Sequence, residues 1–155
     1  MGMSNGADSI PFNRPSLVGE EIAHIREAID RGQLSGDGHF THLCNAIIAQ
    51  HAGADAALLT HSGTAALEMA AILCDLQPGD EVIMPSYTFV STANAVVLRG
   101  AVPVFVDIDP VTLNIDPSRV PAALSPRTKA IFAVHYAGFP ADMDPLVEIA
   151  RAHDL

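Results

Sequence analysis

Four short apolar runs of similar spacing restrict the possible folds of this chain more than any other feature. The runs occupy residues 56–60, 81–85, 102–106 and 129–135, and each interval between them can hold one helix and two turns. Unbroken apolar strands that alternate with helices are typical of a parallel sheet covered on both faces. The spacing therefore predicts an α/β fold in which a mostly parallel sheet is flanked by helices in a three-layer αβα arrangement.

Helix signals fill the intervals between the predicted strands. Ser16 is a candidate N-cap before apolar residues at helical spacing, and Gly32 ends that helix. A second amphipathic helix is expected from Phe40 to about Gly53. Further helices are predicted over residues 64–76 and 88–98, as a short piece after Asp116, and from Asp144 and Pro145 onward. Residues 1–15 lack periodicity and are interpreted as an arm, and residues 16–155 as the amino-terminal, incomplete part of a larger domain.

Composition excludes several classes of function. The chain has 155 residues and a formal net charge of −10, which repels phosphate backbones and anionic lipid heads. No apolar stretch has the length of a membrane span, and no signal-peptide pattern is present at the amino terminus. Cys44 and Cys74 are isolated, as expected for reduced core thiols. We therefore expect a cytoplasmic protein that binds neither nucleic acid nor membranes and has no metal site.

The loop after the first predicted strand is the main candidate for ligand binding. It contains Ser62, Gly63, Thr64 and Ala65 in front of an Ala-rich helix. A glycine allows close approach of the backbone, the hydroxyls can donate, and unpaired N–H groups at the helix N-terminus attract an anion. The motif therefore indicates a phosphate site, with an ordinary capped turn as the alternative reading.

The later loops offer a ring, a pair of carboxylates and an imidazole. Phe89 follows the second strand and could stack on a planar ligand or pack under the next helix. Asp107 and Asp109 follow the third strand, where an Asp-Pro turn explains them better than a metal site. His135 ends the last strand, at the edge of the sheet where α/β proteins bind ligands.

Four motifs occur in an order that identifies a family. They are Ser62–Leu67, Gln77–Ala95, Val104–Asp107 and Val134–Gly138. Together they resemble the DegT/DnrJ/EryC1/StrS family of sugar aminotransferases, which use pyridoxal 5′-phosphate and have the fold type I architecture. Within the family, residues 11–15 and 34–38 look most like the dTDP-4-amino-4,6-dideoxygalactose transaminases.

The resemblance implies a set of site residues. It places the cofactor phosphate at Gly63, Thr64 and Ala65, with Ser62 before them, Phe89 against the pyridine ring, and His135 near the cofactor or the sugar. The family's cofactor-binding lysine and its carboxylate partner are expected beyond Leu155. The only lysine of the chain, Lys129, starts its strand at the opposite end from the crevice. No catalytic residue is therefore assigned, and the isolated chain is expected to be inactive.

The resemblance also implies substrates and an assembly. The whole protein is expected to transfer an amino group, with glutamate as donor, to a nucleotide-linked 4-keto-6-deoxy sugar. Two alternatives stay open: a sugar dehydratase of the same family with histidine in place of the lysine, and a Rossmann-like binding module without chemistry. A homodimer is expected, with Phe89 and the loop over Ser35–Gly38 close to the interface.

Overall fold

The computed structural model describes residues 14–155, so most of the predicted arm lies outside the described residues. The chain divides into two compact units, one that ends at Leu59 and one that comprises Thr60–Leu155. We call them the amino-terminal and carboxyl-terminal units. The helices are α1 (Glu21–Asp30), α2 (His39–Ala52), α3 (Gly63–Leu73), α4 (Val90–Val97), α5 (Val120–Ala123) and α6 (Met143–His153), and the strands are β1 (Glu81–Pro85), β2 (Val102–Val106) and β3 (Thr128–Ile131).

The first helix begins later than the sequence predicts. The predicted cap, Ser16, is wrong, because α1 starts at Glu21. The Glu21 carboxylate reaches back and accepts hydrogen bonds from the backbone N–H groups of Val18 (2.7 Å) and Gly19 (3.0 Å). It therefore binds donors that precede the helix. Gly32 follows the C-cap residue at φ 71°, as predicted for the helix end.

The predicted strand at residues 56–60 is not formed. The Leu59 N–H donates to the Asn45 side chain at 2.6 Å, so a side chain of α2 takes the bond that a neighbouring strand would accept. A strand is defined by backbone pairing, and an apolar run without a partner strand stays irregular. Gly53, in contrast, closes α2 in the left-handed conformation, as its position predicts.

The carboxyl-terminal unit is built on a parallel sheet with the strand order β2-β1-β3. All five residues of β1 are buried, and they pair with the five residues of β2 without a break in register. Both strands have the predicted bounds. β3 is shorter than predicted, and Phe132 makes the last backbone bond to β1, from its N–H to the Ile83 carbonyl at 2.8 Å. Beyond Phe132 the backbones of β1 and β3 separate, and the loops that follow the two strands begin.

Helices cover both faces of this sheet. Val82 and Met84 of β1 point into one apolar cluster with α3 and α4, and Ile83 points into another with α5 and α6. Successive residues of a strand face opposite sides of a sheet. The predicted three-layer α/β architecture is therefore confirmed within this unit.

The last helix begins two residues before its predicted start. Asp142 occupies the N-cap position of α6, and Asp144 lies in the first turn. An acidic residue in the first turn interacts favourably with the helix dipole, and Pro145 lacks only an N–H group that has no partner within the helix. Among the described residues, no helix combines the length and apolar character needed to cross a membrane.

Candidate functional site at the carboxyl ends of the strands

The predicted phosphate loop forms the N-terminus of α3. Ser62 is the N-cap in extended conformation, and its hydroxyl accepts a hydrogen bond from the Ala65 N–H at 3.1 Å. The Thr60 hydroxyl donates to the Ser62 carbonyl at 2.8 Å and holds the turn. Among the described residues, nothing accepts a hydrogen bond from the N–H groups of Gly63 and Thr64. Two of the predicted donors are therefore available, while Ser62 already occupies the Ala65 donor.

The space in front of this turn is open. A Cβ atom placed on Gly63 would have no heavy atom within 4 Å, and Thr64 is exposed. An anion can therefore approach the two unpaired amides, where the dipole of α3 favours negative charge. The donor set fits a phosphate or carboxylate group and does not require a lysine or arginine.

A second helix N-terminus meets the first. The Thr64 Oγ1 and Ser91 Oγ atoms lie 2.9 Å apart, and each residue lies in the first turn of its helix, α3 and α4 respectively. The sequence does not predict this contact, because the two residues are separated by 27 positions and Ser91 has the pattern of an ordinary residue at a helix start. The two helix dipoles therefore point their positive ends toward the same region.

Phe89 lies beside this region. It occupies the N-cap position of α4, two residues before Ser91, and its side chain is 73% exposed. An exposed aromatic ring next to a helix N-terminus is available for stacking on a planar ligand. The alternative that Phe89 packs under the next helix does not agree with this exposure.

His135 is carried by the loop after β3, and the structure fixes the role of one ring nitrogen. The exposed His135 side chain accepts a hydrogen bond from the Ala141 N–H at its Nδ1 atom, at 3.0 Å. Because Nδ1 is the acceptor, the neutral ring carries its proton on Nε2. Nε2 is then a donor that can face a ligand.

Asn114 supports the same loop and was not recognised in the sequence. It is 2% exposed. Its Oδ1 atom accepts from the Tyr136 N–H at 2.8 Å, and its Nδ2 atom donates to the Phe139 carbonyl at 3.0 Å. The Asn114 side chain thus supplies hydrogen-bond partners that other backbone groups would supply in a regular helix or strand. Two residues of this loop have positive φ angles, Ala137 at 50° and Gly138 at 81°. A single asparagine between Leu113 and Ile115 carries no pattern from which this role could be predicted.

Two tyrosines join the loops after β1 and β3. Tyr87 and Tyr136 have their hydroxyl oxygens 3.0 Å apart and their ring centroids 4.8 Å apart. The hydrogen bond to Tyr87 raises the pKa of Tyr136, since it favours the neutral phenol. The pair connects the segment that carries Phe89 to the segment that carries His135. The contact between Thr64 and Ser91 and the tyrosine pair therefore connect three predicted parts of the site: the turn at Gly63, Phe89 and His135.

The acidic loop and the lysine lie outside this arrangement. Asp109 accepts hydrogen bonds from the backbone N–H groups of Thr112 (2.8 Å) and Val111 (2.9 Å), and these bonds lower the pKa of its carboxyl. This is the predicted Asp-Pro turn. Lys129 is the second residue of β3, at the amino end of the sheet and away from the loops that carry Phe89 and His135.

Comparisons with known proteins agree with one another. The sequence pattern of the DegT/DnrJ/EryC1/StrS aminotransferase family matches residues 15–155. GDP-perosamine synthase from Caulobacter vibrioides is 42% identical over 141 residues, which cover 91% of this chain and 38% of that protein. The aminotransferase from Psychrobacter cryohalolentis has a similar structure, with a TM-score of 0.87 and 35% identity over 94% of this chain and 37% of its own.

A further solved structure of similar fold contains a cofactor. NtdA from Bacillus subtilis, solved with bound PMP, is 34% identical, with a TM-score of 0.82 over 86% of this chain and 31% of its own. The chain thus spans between about three and four tenths of the length of these proteins. The sequence motifs predict the subgroup that uses dTDP-linked sugars, whereas the Caulobacter relative is named for a sugar linked to GDP.

Proposed function

The chain belongs to the DegT/DnrJ/EryC1/StrS aminotransferase family, and from that premise we propose that the whole protein is a pyridoxal 5′-phosphate-dependent sugar aminotransferase. When bound, the cofactor supplies the amino-group carrier and the electron sink of transamination. The observation that carries the proposal is the open N-terminus of α3, where Gly63 and Thr64 present unpaired amides next to the exposed Phe89 ring.

The residues of this chain have binding and positioning roles in the proposal. The amides of Gly63 and Thr64 hold the cofactor phosphate, Ser62 fixes the turn, and the ring of Phe89 covers one face of the pyridine. The Nε2 proton of His135 is available to an oxygen of the cofactor or the sugar. The covalent attachment to a lysine is assigned to a residue other than Lys129.

We propose glutamate as amino donor and a nucleotide-linked 4-keto-6-deoxy sugar as acceptor. The name of the Caulobacter relative supports a sugar linked to GDP, whereas the motifs at residues 11–15 and 34–38 favour one linked to dTDP. Of these motifs, residues 11–13 lie outside the described part of the chain. The nucleotide is therefore the part of the proposal that an assay with both substrates has to decide.

We also propose that the protein works as a homodimer, with Phe89 and the loop over Ser35–Gly38 near the subunit boundary. Support comes from apolar surface: Ile22, Ile25 and Ile29 form a stripe on α1, and each is more than half exposed. A stripe of this kind on a helix is normally covered by another apolar surface.

The test combines cofactor binding with product analysis in the full-length protein. Phe89→Leu is expected to weaken the binding of pyridoxal 5′-phosphate by about fivefold to tenfold, from the loss of an aromatic stacking contact. Phe105→Leu is the matched control, because Phe105 is also more than half exposed but belongs to β2 and not to a helix N-terminus.

The product identifies the reaction. With glutamate and the dTDP- or GDP-linked keto sugar, the proposal predicts 2-oxoglutarate and an amino sugar in equal amounts. A deoxygenated sugar without an amino group would indicate the dehydratase instead. No cofactor binding by the full-length protein, or equal effects of the two phenylalanine substitutions, would contradict the proposed site.

A further inference from the structure

We propose that Ser91 is a positioning residue that orients the Thr64 hydroxyl toward the bound phosphate. The inference rests on the proposed function, because it concerns how the same site holds the cofactor phosphate. It starts from the 2.9 Å contact between Thr64 Oγ1 and Ser91 Oγ.

The burial of the two hydroxyls decides which one donates. Ser91 is 7% exposed, whereas Thr64 is exposed, and within the described residues Ser91 Oγ has Thr64 Oγ1 as its one side-chain partner. If Thr64 donated, the Ser91 proton would be buried without an acceptor, which costs free energy. If Ser91 donates, every buried group is satisfied and the Thr64 proton is left on the exposed side.

This direction of the hydrogen bond prepares Thr64 for an anion. A hydroxyl can accept one hydrogen bond and donate another at the same time. The donor from Ser91 holds the Thr64 side chain in one rotamer and polarises its O–H group. That O–H then lies beside the unpaired amides of Gly63 and Thr64. The site gains a third donor to the phosphate without adding a positive charge.

The chain contains a matched control for this contact. Thr92 follows Ser91 on α4, is also buried, and makes the same kind of hydroxyl contact, 2.8 Å from its Oγ1 to that of Thr88. Thr92→Val removes a hydroxyl from the same helical turn without touching Thr64. A general effect on α4 would appear in both variants, but an effect through Thr64 would appear only in Ser91→Ala.

The experiment measures equilibrium binding of pyridoxamine 5′-phosphate and of pyridoxamine by calorimetry in the full-length protein. The two ligands differ only in the phosphate, and neither needs a covalent bond to a lysine. The dissociation constant of pyridoxamine divided by that of pyridoxamine 5′-phosphate therefore isolates the contribution of the phosphate, and this ratio falls when the phosphate is held less well. Ser91→Ala is expected to weaken binding of the phosphorylated ligand by about fivefold, the value of one ordinary hydrogen bond, and to leave pyridoxamine unchanged. Thr92→Val is expected to leave the ratio at its wild-type value.

A double-mutant cycle separates orientation from structure. Thr64→Val alone is expected to reduce the ratio by about tenfold, and adding Ser91→Ala to it should have no further effect, because the group that Ser91 orients is gone. An effect of Ser91→Ala that persists in the Thr64→Val background, or that weakens both ligands equally, overturns the inference. Equal affinity of the wild-type protein for the two ligands would overturn the phosphate site itself, and with it the proposed function and this inference.

Discussion

Replacing Asn114 is expected to open the loop that carries His135. Asn114→Ala removes two hydrogen bonds and leaves the Tyr136 N–H and the Phe139 carbonyl without their partner. Each net hydrogen bond contributes about 1 kcal/mol, and an orphaned partner adds to the loss. The local cost is therefore about 2–3 kcal/mol, which corresponds to about 30-fold to 150-fold faster exchange of the Tyr136 amide hydrogen.

Hydrogen exchange of the peptide over residues 134–140 measures this opening directly in the full-length protein. Asn114→Asp is a stricter test, because it keeps the acceptor for Tyr136 but turns a second oxygen toward the Phe139 carbonyl. In the Asn114→Asp protein the protection factor of the Tyr136 amide should be no higher than in the alanine variant at neutral pH, and it should be higher in acid, where a protonated carboxyl can donate. Asn94→Ala, an exposed asparagine of α4, is the control. Wild-type exchange at Tyr136 in the Asn114→Ala protein would refute the assigned role.

Four further predictions follow from individual groups. Tyr87 and Tyr136 are the only tyrosines, and the chain has no tryptophan, so an alkaline ultraviolet titration should resolve the raised pKa of Tyr136, and Tyr87→Phe should return it toward its ordinary value. The Ser125 hydroxyl and the Arg127 guanidinium lower the pKa of Glu81. The resulting stabilisation is present above the ordinary glutamate pKa of about 4.3 and is lost as the pH falls through the folded-state pKa. Glu81→Gln should therefore flatten the acid side of a plot of the urea unfolding midpoint against pH. Borohydride reduction of the chain with pyridoxal 5′-phosphate should leave Lys129 without stoichiometric label in a mass spectrum. Sedimentation velocity should detect a dimer or larger assembly, and a monomer at every concentration would contradict the proposed interface.

The strands that the sequence predicts best are the two that pair with each other along their whole length. β1 and β2 have the predicted bounds because their apolar runs coincide with five paired residues each. The run at residues 56–60 is also apolar, although it consists of Ala, Leu and Thr without Val or Ile, and the Leu59 N–H bonds to the Asn45 side chain. Apolar composition predicts burial, whereas pairing depends on which backbone lies alongside. Local composition alone does not contain that second piece of information.

The candidate site shows the same division between local and long-range information. The turn at Ser62 and Gly63 could be predicted, because capping and glycine preferences act within a few residues. The contact from Thr64 to Ser91 could not, since it depends on where α3 and α4 cross over the sheet. The Asn114 contacts span 22 and 25 positions and follow from the path of two loops. Sequence reasoning therefore finds the groups that face a ligand more readily than the groups that hold them.

Those supporting groups explain how a site at the surface can hold one geometry. The Thr64 side chain and the loop after His135 lie at the surface, where each would sample many conformations if it were unsupported. Each is instead fixed by a buried polar side chain, Ser91 in the first case and Asn114 in the second. Buried partners are protected from competition with water, so their hydrogen bonds constrain the exposed group more strongly than a surface contact would. Binding then requires less ordering of the loops, and more of the interaction free energy remains as affinity.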